Sequence, residues 1–279
     1  MILWILLPAY NEEDTLPRLL SKIDVFAKEA SMECRTVVVN DGSKDQTGVV
    51  LAAYAQALQL EVVTHKINRG LGETERDGFE YIAERSGPDD IIVRMDADDS
   101  HEPQYIHSLL ERIAEGYDVV NTSRFRRLSG QKGVSAYRAL LSYGANLFMA
   151  LVFRIKGVRD YTCGFRAYRA RAIQECIRLY GNDFIQLKGM GFTSTLEMLV
   201  KLKLIGCRFA EVPFVLRYDQ KTSKSKMLTS ITVLGYFAMA LLYHWPPSGW
   251  RTRYKYYRDR SWGAPQSITD KPRYKESGH

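Results

Sequence analysis

The residues of this chain best suited to chemistry are the carboxylates of Asp96, Asp98 and Asp99, which directly follow an apolar run at residues 91–95. The run is typical of a buried strand. Such a strand ends in acid only where water, a cation or a ligand lies at its tip, because an unpaired buried carboxylate is very costly. Asp96 and Asp98 are two residues apart, so their side chains share one face of an extended chain and converge on a tight turn. Two converging carboxylates suit Mg²⁺ or Mn²⁺, which usually bind one or two carboxylates together with substrate phosphates.

The same acidic turn also fits a purely structural interpretation. A helix is expected after Pro103, and a solvated group of carboxylates at its start stabilises that helix without binding a ligand. The pattern Asp-x-Asp is short and arises by chance. The choice between the two interpretations therefore depends on what the rest of the chain brings to this turn.

Strands alternate with helices along the first half of the chain. Besides residues 91–95, the runs that predict strands are residues 2–7, 36–39, 61–64 and 118–121. The segments between them carry apolar residues at helical spacing, including a helix expected at residues 103–114. This alternation predicts an α/β fold with a doubly wound, mostly parallel, Rossmann-like sheet and right-handed crossovers.

Polar side chains directly follow several of these predicted strands. They are Tyr10, Glu12, Asp41, Asn68, Asp96 and Asp98. Because ligands of open α/β sheets bind at the carboxyl ends of the strands, we expect these side chains to converge in one crevice. That convergence favours a binding site at the acidic turn over a chance pattern.

The composition bounds the class of protein. The chain has 279 residues, of which 46% are hydrophobic and 25% are charged, and its net charge is +7. Such a composition indicates a globular protein with one large core, or with one core and an appendage. The four cysteines lack the spacing of zinc sites or of a disulfide framework, which fits a reducing cytosol. The apolar run at residues 2–7 is too short to span a membrane and is interpreted as a strand rather than a signal peptide.

The second half of the chain contains two apolar segments. Residues 140–155 are too few for a typical membrane span and fit an interfacial or a buried helix. Residues 227–245 carry no charge and fit a transmembrane helix, a membrane-surface helix or a packing helix. A basic and aromatic stretch at residues 250–262 suits nucleic acid or an anionic membrane. The apolar segment before it favours the membrane, with the tail on the cytoplasmic side.

Two further segments of this half predict regular elements. Residues 192–204 indicate an amphipathic helix that contains Glu197, and residues 208–215 indicate a strand. If Glu197 is buried, it should be either the partner of an arginine or an acid with a perturbed pKa. Among the histidines, only His101 is close to the acidic turn, where we expect it to support the turn rather than to bind a metal.

Four motifs of the chain, taken in order, resemble the signature of inverting family 2 glycosyltransferases with the GT-A fold. They are Leu7-Pro8-Ala9-Tyr10-Asn11-Glu12, Asn40-Asp41-Gly42-Ser43, Asn68-Arg69-Gly70-Leu71-Gly72 and Asp96-Ala97-Asp98. Later motifs resemble the polyprenyl-phosphate sugar synthase branch, typified by dolichyl-phosphate mannose synthase. They are Thr122-Ser123-Arg124-Phe125, Arg138 with Ser142, Gly144, Ala145 and Asn146, Asp160 with Thr162-Cys163-Gly164-Phe165-Arg166, and Ser225-Lys226-Met227.

The resemblance implies a nucleotide-diphosphate sugar as donor. The residues that would hold its base and ribose are Pro8, Tyr10, Glu12 and Asp41. Asp96 would contact the ribose or the nearby phosphate, and Asp98 would bind the metal, Mg²⁺ or Mn²⁺; from the residues alone Asp96 is a second candidate ligand. Carboxylates accept hydrogen bonds from ribose hydroxyls and base N–H groups, and the metal neutralises the charge that builds on the departing diphosphate.

The acceptor implied by the resemblance is a polyprenyl phosphate. Its second pKa is about 6, so the phosphate is largely dianionic at neutral pH and attacks the anomeric carbon without a general base. It needs cationic clamping, for which arginine is suited. The resemblance gives this role to Arg124 and Arg138, and gives Arg217 and Lys226, with Lys224 sharing, the role of closing over the donor diphosphate. The alternatives are that these residues are surface cations or part of a solvated loop.

The resemblance thus implies an inverting, membrane-associated hexosyltransferase for mannose or glucose, with no nucleic-acid partner. Residues 1–226 would form the catalytic domain, and residues 227–279 would be a membrane-associated segment on the cytoplasmic face, either peripheral or single-span. One alternative is a family 2 transferase with a sugar-hydroxyl acceptor, although the Gln-x-x-Arg-Trp motif of processive synthases is absent from the sequence. The other is a non-catalytic membrane adaptor built on the same fold.

Overall fold

A computed structural model of the chain describes residues 1–55, 58–220, 229–245 and 250. Its central sheet contains seven strands in the order β3-β2-β1-β4-β7-β5-β8, and two further strands, β6 and β9, form a separate parallel ribbon. The strands are β1 Ile2–Ala9, β2 Glu33–Asn40, β3 Leu60–Thr64, β4 Ile91–Arg94, β5 Val119–Ser123, β6 Gly130–Lys132, β7 Arg166–Arg169, β8 Phe209–Pro213 and β9 Val215–Arg217. The helices are α1 Leu16–Glu29, α2 Thr47–Tyr54, α3 Leu71–Ala83, α4 Tyr105–Ala114, α5 Ala136–Phe153, α6 Ala170–Tyr180, α7 Thr193–Leu204 and α8 Thr229–His244.

The five strands expected in the first half are all present, and the mostly parallel α/β sheet is confirmed. Strand β1 pairs in parallel with β2 and with β4, and β3 pairs in parallel with β2. Side chains alternate between the two faces of β1, and both faces are buried. Trp4 and Leu6 belong to one hydrophobic core cluster, whereas Leu3 and Ile5 belong to the other. This burial on both faces explains why the strands appear in the sequence as continuous apolar runs.

One strand runs against the others. β7 is inserted between β4 and β5 and is antiparallel to both of them. This strand was not predicted from the sequence, because its four residues begin and end with arginine and carry no apolar run. The strand expected at residues 208–215 is also divided: β8 joins the central sheet beside β5, and β9 leaves it to pair with β6.

The apolar segments of the second half form the paired helices α5 and α8. The helix expected at residues 140–155 is α5, which begins four residues earlier, at Ala136. Part of the segment 227–245 forms α8, while residues 227–228, like Pro246 and Pro247, lie outside the described residues. The inner face of α5 enters the core through Met149 and Phe153, and that of α8 through Met239 and Tyr243. By length and composition alone, α5 is the one described helix that could cross a membrane.

Candidate active site

The acidic turn after β4 is held by contacts within the turn itself. The Oδ1 atom of Asp98 accepts hydrogen bonds from the backbone N–H (3.1 Å) and the hydroxyl (2.5 Å) of Ser100. Asp99 has a positive φ of 60° and turns away from them to pair with Lys22 at 2.8 Å. Asp98 is 7% exposed, whereas the side chain of Asp96 is 30% exposed. The turn therefore separates the three carboxylates into one paired with a lysine and two that face the crevice end of β4.

His101 packs between the acidic turn and Phe165. Its Nδ1 atom accepts a hydrogen bond from the backbone N–H of Asp96 (3.0 Å), and its ring stacks on Phe165 with the ring centroids 5.1 Å apart. Burial lowers the pKa of His101 below its ordinary value, more than the nearby Asp96 and Asp98 charges raise it. The neutral ring with an accepting Nδ1 carries its proton on Nε2, which lies 3.5 Å from Oδ2 of Asp96. His101 therefore orients Asp96.

Asp41, at the end of β2, fixes the loop that follows β3. Its carboxylate accepts hydrogen bonds from the backbone N–H groups of Arg69 and Gly70, both at 2.8 Å. It also lies 2.7 Å from Nδ1 of His65, whose Nε2 is 3.0 Å from Asp77. The resemblance implies that Asp41 contacts the base or ribose of a nucleotide, and this contact remains a prediction. The structure shows that the carboxylate shapes the loop after β3.

The end of β1 and the loop after it bring Pro8, Tyr10 and Glu12 to the same edge of the sheet. Pro8 lies opposite Val39 in the β1–β2 register, and Tyr10 follows directly after the strand. Glu12 is buried and accepts a hydrogen bond from Thr15 (2.8 Å), whose hydroxyl is also 3.2 Å from the carbonyl of Ala97 in the acidic turn. The expected convergence of these strand ends is therefore present in the structure.

A segment at residues 217–220 lies against the acidic turn. The backbone N–H of Arg217 donates to the carbonyl of Ser100 (3.1 Å), and Lys22 contacts both Glu102 (3.0 Å) and Gln220 (3.2 Å). The guanidinium of Arg217 is itself paired with Asp219, with Nε 3.0 Å from Oδ1. The predicted diphosphate contact of Arg217 remains a prediction, and Lys226, together with Lys224, lies outside the described residues.

Arg124, at the end of β5, is not a surface cation. Its side chain is 11% exposed, and its Nε and Nη2 atoms each lie 2.7 Å from an oxygen of Asp160. Nη2 also donates to the hydroxyl of Thr162 (2.6 Å). Burial would raise the pKa of Asp160, but the charge and hydrogen bonds of Arg124 lower it below its ordinary value. Arg124 is thus held in a fixed, charged, bidentate pair.

Asp160 is in turn positioned by Glu211 on β8. One oxygen of Glu211 accepts the backbone N–H groups of Arg159 (2.6 Å) and Asp160 (2.8 Å). Burial raises the pKa of Glu211 above its ordinary value. Neither carboxylate was predicted from the sequence to have a role. The only signal for Asp160 was its place in the motif that ends at Arg166.

Arg138 lies in the first turn of α5. It is exposed, and its Nη1 atom donates to the hydroxyl of Tyr218 (2.8 Å). Ser142 lies one turn further along the same helix face, with its hydroxyl 3.5 Å from that of Thr162, the partner of Arg124. Arg138, one of the two arginines predicted to bind the acceptor phosphate, therefore lies one helical turn from Ser142, which contacts the partner of Arg124.

The outer faces of α5 and α8 are apolar and exposed. The helices touch through Phe148 and Phe237, whose ring centroids are 5.3 Å apart. On α5 the exposed residues recur at helical spacing and include Tyr137, Leu140, Leu141, Leu147 and Leu151. On α8 they include Leu234, Phe237 and Leu241. Large adjoining apolar patches of this kind indicate contact with a membrane or another apolar partner.

Glu197 has no place in this crevice. It is fully buried on α7, but its partner is Lys201 at 2.5 Å and not an arginine, so that expectation was wrong. Its two oxygens also accept the backbone N–H groups of Gln186 and Leu187. This network fastens a loop to α7 and serves the fold.

The crevice therefore has an acidic side and a cationic side. They lie at the ends of β4 and β5, which are two strand spacings, or about 10 Å, apart because β7 lies between them. Among the residues that the structure describes, no group of three or more His, Cys, Asp or Glu side chains is placed to hold a metal ion. The oxygens of Asp96 and Asp98 still fit Mg²⁺ or Mn²⁺, which complete their coordination with water and phosphate oxygens. Such a crevice suits transfer between two phosphate-bearing substrates.

Comparison with known proteins identifies the relatives of this chain. The family model for glycosyl transferase family 2 matches residues 4–177. Undecaprenyl-phosphate mannosyltransferase of Micrococcus luteus is 32% identical over 225 residues, which cover 80% of this chain and 86% of the relative. Dolichol-phosphate mannosyltransferase of Pyrococcus furiosus is 30% identical over 211 residues, which cover 75% of this chain and 55% of the relative. The chain thus spans about half the length of the second relative, and the resemblance drawn from the motifs is confirmed.

Solved structures confirm the fold. Glucosyl-3-phosphoglycerate synthase from Mycobacterium tuberculosis, in complex with Mn²⁺, UDP and glucosyl-3-phosphoglycerate, superposes with a TM-score of 0.54 at 19% identity, covering 86% of this chain and 78% of that chain. TarS 1–349 of S. aureus superposes with a TM-score of 0.55 at 14% identity, covering 92% of this chain and 70% of that chain. At these identities the likeness concerns the architecture alone.

Proposed function

This chain belongs to glycosyl transferase family 2, and we propose that it transfers a hexose, mannose or glucose, from a nucleotide-diphosphate sugar to a polyprenyl phosphate with inversion at the anomeric carbon. Two relatives of the chain are named for sugar transfer to undecaprenyl phosphate and to dolichol phosphate. The acidic side of the crevice would bind the sugar donor, and the cationic side would bind the acceptor.

The two faces of α5 are the observation that carries this proposal. The inner face presents Ser142 to the hydroxyl of Thr162, which binds Arg124, and Arg138 lies one turn before Ser142 on the same helix, where it donates to the hydroxyl of Tyr218. The outer face of the same helix exposes Leu140 and Leu147. A phosphate bound between the two arginines would therefore have its hydrocarbon chain beside an apolar surface. A sugar-hydroxyl acceptor needs neither the cations nor that surface.

On the acidic side, Asp98 would hold Mg²⁺ or Mn²⁺, and Asp96 would accept hydrogen bonds from the donor. The contact of Asp98 with Ser100 orients its carboxylate at the crevice end of β4. The bound metal would neutralise charge on the departing diphosphate. The nucleoside of the donor would be contacted by Pro8, Tyr10, Glu12 and Asp41. Its diphosphate would be contacted by Arg217 and Lys226.

On the cationic side, the residues would bind and orient the acceptor rather than remove a proton. The phosphate of the lipid is largely dianionic at neutral pH, because its second pKa is about 6. Arg124, fixed by Asp160, would bind one oxygen of the acceptor phosphate. Arg138 would bind the phosphate from the side of α5. The pair would offset repulsion between the two substrates and align an acceptor oxygen with the anomeric carbon.

The membrane contact that we propose is in the plane of the bilayer. The buried face of α5, including Asn146, Met149 and Phe153, is part of the catalytic core, so α5 cannot cross a bilayer without leaving that core. The same is true of α8, which packs on α7. We propose that residues 1–226 form the catalytic domain, and that residues 227–279 hold it to the cytoplasmic face. This is the geometry of an interfacial protein.

The experiment that tests the activity measures label transferred from UDP-glucose or GDP-mannose into an organic-extractable product. The purified protein is supplied with undecaprenyl phosphate, with and without Mn²⁺. We expect label in the lipid phase that depends on the metal, and the donor that gives it identifies the sugar. Metal-dependent donor hydrolysis without lipid label would point to a hydroxyl acceptor. Neither signal from folded protein would favour the adaptor alternative.

Membrane contact is tested separately by flotation with lipid vesicles. We expect Leu140→Asp combined with Leu147→Asp to release the protein from vesicles of anionic and neutral phospholipid, because two charges then oppose burial of the outer face of α5. Val49→Asp is the matched control, since Val49 is 65% exposed on α2, away from this face. Release by the control variant to the same extent would contradict the assignment of the surface.

A further inference from the structure

The segment that contains β5, β6 and α5 carries positive charge and no negative charge. Residues 119–159 include eight lysines and arginines and no aspartate or glutamate. One of the eight, Arg124, is paired with Asp160. Within the part of the chain that the structure describes, the other seven form no ion pair. They are Arg126, Arg127, Lys132, Arg138, Arg154, Lys156 and Arg159.

Exposed cations on the opposite face of the sheet are compensated by neighbouring carboxylates. Helices α1 and α4 pack in one of the two core clusters, and α5 and α8 pack in the other. On α1, Nζ of Lys28 lies 2.6 Å from Oδ2 of Asp24. At the end of α4, Nη1 of Arg112 lies 2.7 Å from Oε2 of Glu115. The unpaired charge around α5 is therefore a property of one surface and not only of the net charge of the chain.

The unpaired cations form two groups, one at each end of α5. Arg127 and Lys132 precede the helix, Arg154 and Lys156 follow its last residue, and all four are exposed. The 18 residues of α5 span about 27 Å, and the outer face between the two groups is apolar. If the helix lies flat on a bilayer, both groups are at the depth of the headgroups. If it crosses the bilayer, they are in opposite leaflets.

An exposed leucine lies beside the first cationic group. Leu128 is 86% exposed, and its φ of 69° is uncommon for a bulky side chain. It belongs to a turn in which the backbone N–H of Ser129 donates to the carbonyl of Arg126 (3.2 Å). An apolar side chain next to arginines suits the boundary between lipid headgroups and acyl chains. The turn therefore extends the apolar face of α5 towards its cationic end.

We propose that residues 126–159 form a surface that binds the headgroups of anionic phospholipids through cations at both ends of α5, with the apolar face between them in the bilayer. This inference rests on the proposed function, which assigns the apolar face to the membrane but assigns no lipid class to it. The charge lies within the proposed catalytic domain and is separate from the basic stretch at residues 250–262. Since the proposed acceptor is also an anionic lipid, the same surface would raise its concentration beside Arg138.

Vesicle binding by the full chain tests each end of α5 separately. The vesicles are neutral phosphatidylcholine, alone or with about 30 mol% phosphatidylglycerol. We expect the wild type to bind the anionic vesicles more tightly. Arg127→Gln and Lys156→Gln should each weaken that binding about fivefold, and the double variant about 25-fold, because each cation near an anionic surface contributes separately. Binding to the neutral vesicles should stay the same, since the apolar face is intact.

The matched control is Lys28→Gln combined with Arg112→Gln, which removes two exposed cations from the opposite face of the sheet. It should bind both kinds of vesicle as the wild type does. Unchanged binding of either single variant to anionic vesicles would overturn the inference, and so would an equal loss in the control. Thermal unfolding checks that each variant is folded. A wild-type protein that binds neither kind of vesicle would instead contradict the membrane contact of the proposed function.

Discussion

The acidic and the cationic sides of the crevice are held in place by different kinds of contact. On the acidic side, Asp98 is bound by Ser100 and Asp96 by His101, two and five residues away. On the cationic side, Arg124 is bound by Asp160, which is 36 residues later, and Asp160 is bound by Glu211, a further 51 residues along the chain. Asp96 and Asp98 therefore each have a partner close by in the sequence, whereas Arg124 and Asp160 are held by residues far away in the sequence.

The two sides also differ in how their charge is compensated. Arg124 gives two of its nitrogens to Asp160, and among the described residues no group accepts a hydrogen bond from its Nη1. It is therefore a fixed cation with one edge left for a ligand. On the acidic side, Asp98 accepts hydrogen bonds from Ser100, and we propose that an added divalent ion is needed there before a diphosphate can approach. The cationic side therefore carries its own counterion, Asp160, whereas we propose that the acidic side binds a divalent ion from solution.

The largest effect that this comparison predicts is the loss of turnover in Asp98→Ala. We expect kcat to fall about 1,000-fold with the fold intact, because the variant loses the carboxylate that would hold the metal. The measurement is sugar transfer at saturating Mn²⁺, together with thermal unfolding. Asp89→Ala, which removes an exposed carboxylate remote from the crevice, is the control. Transfer at the wild-type rate by Asp98→Ala would contradict the metal assignment.

Asp160→Asn should act mainly on stability, in contrast to Asp98→Ala. Removing one partner of a buried ion pair typically costs about 3–5 kcal/mol, because the other charge is left uncompensated. We expect the free energy of unfolding to fall by about 3 kcal/mol in chemical denaturation. Asp24→Asn, which breaks the exposed pair with Lys28, should cost less than about 1 kcal/mol. Equal losses of unfolding free energy in the two variants would show that the Arg124–Asp160 pair stabilises the fold no more than an exposed ion pair does.

Arg138→Ala should change acceptor binding alone. Because Arg138 is exposed and, within the part of the chain that the structure describes, its side chain contacts Tyr218 alone, its loss should leave stability unchanged. We expect KM for polyprenyl phosphate to rise about tenfold and KM for the sugar nucleotide to stay the same, as steady-state kinetics would measure. Arg112→Ala, an exposed arginine of α4, is the matched control. A rise in both KM values would contradict the assignment of Arg138 to the acceptor side of the crevice.

The smallest effect concerns pH. The pKa of Asp160 is lowered in the folded protein, so its pair with Arg124 contributes stability above the unfolded pKa of about 3.9 and loses it as the pH falls through the folded value. The difference in unfolding free energy between the wild type and Asp160→Asn should therefore narrow on acidification. Denaturation curves between pH 3 and pH 7 test this. A difference that stays constant over that range would show that the pair is not ionised as described.

The acidic side could be predicted from the sequence because its signal is local. The apolar run at residues 91–95 predicts a strand buried on both faces, and the parallel fold brings its end beside Glu12 and Asp41. The short polar strand β7 has no such signal, since its position between β4 and β5 is decided by pairing with residues far away. Its omission from the prediction is the reason that the distance between the two sides could not be foreseen.

Arg124, at the end of β5, and Arg94, at the end of β4, have carboxylate partners that could not be predicted, because these partners are far away in the sequence. Nothing near Arg124 in the sequence points to Asp160, and nothing near Arg94 points to Glu75, since each pair is formed only when separate elements pack. The sequence could indicate which residues are suited to bind phosphate and metal. It could not indicate which charges would be compensated, because compensation depends on burial and on contacts across the sheet.

The insertion of β7 also has a consequence for the order in which the protein is made. Strands β1 to β4 pair among themselves as they leave the ribosome, but the sheet neighbours of β5 among the described strands are β7 and β8, which are synthesised later. The apolar helix α5 therefore emerges while β5 still has two unpaired edges, a state that favours aggregation in solution. A bilayer that binds the outer face of α5 at this stage would shelter the nascent chain. We expect folding to finish at the membrane surface, where we propose that the enzyme works.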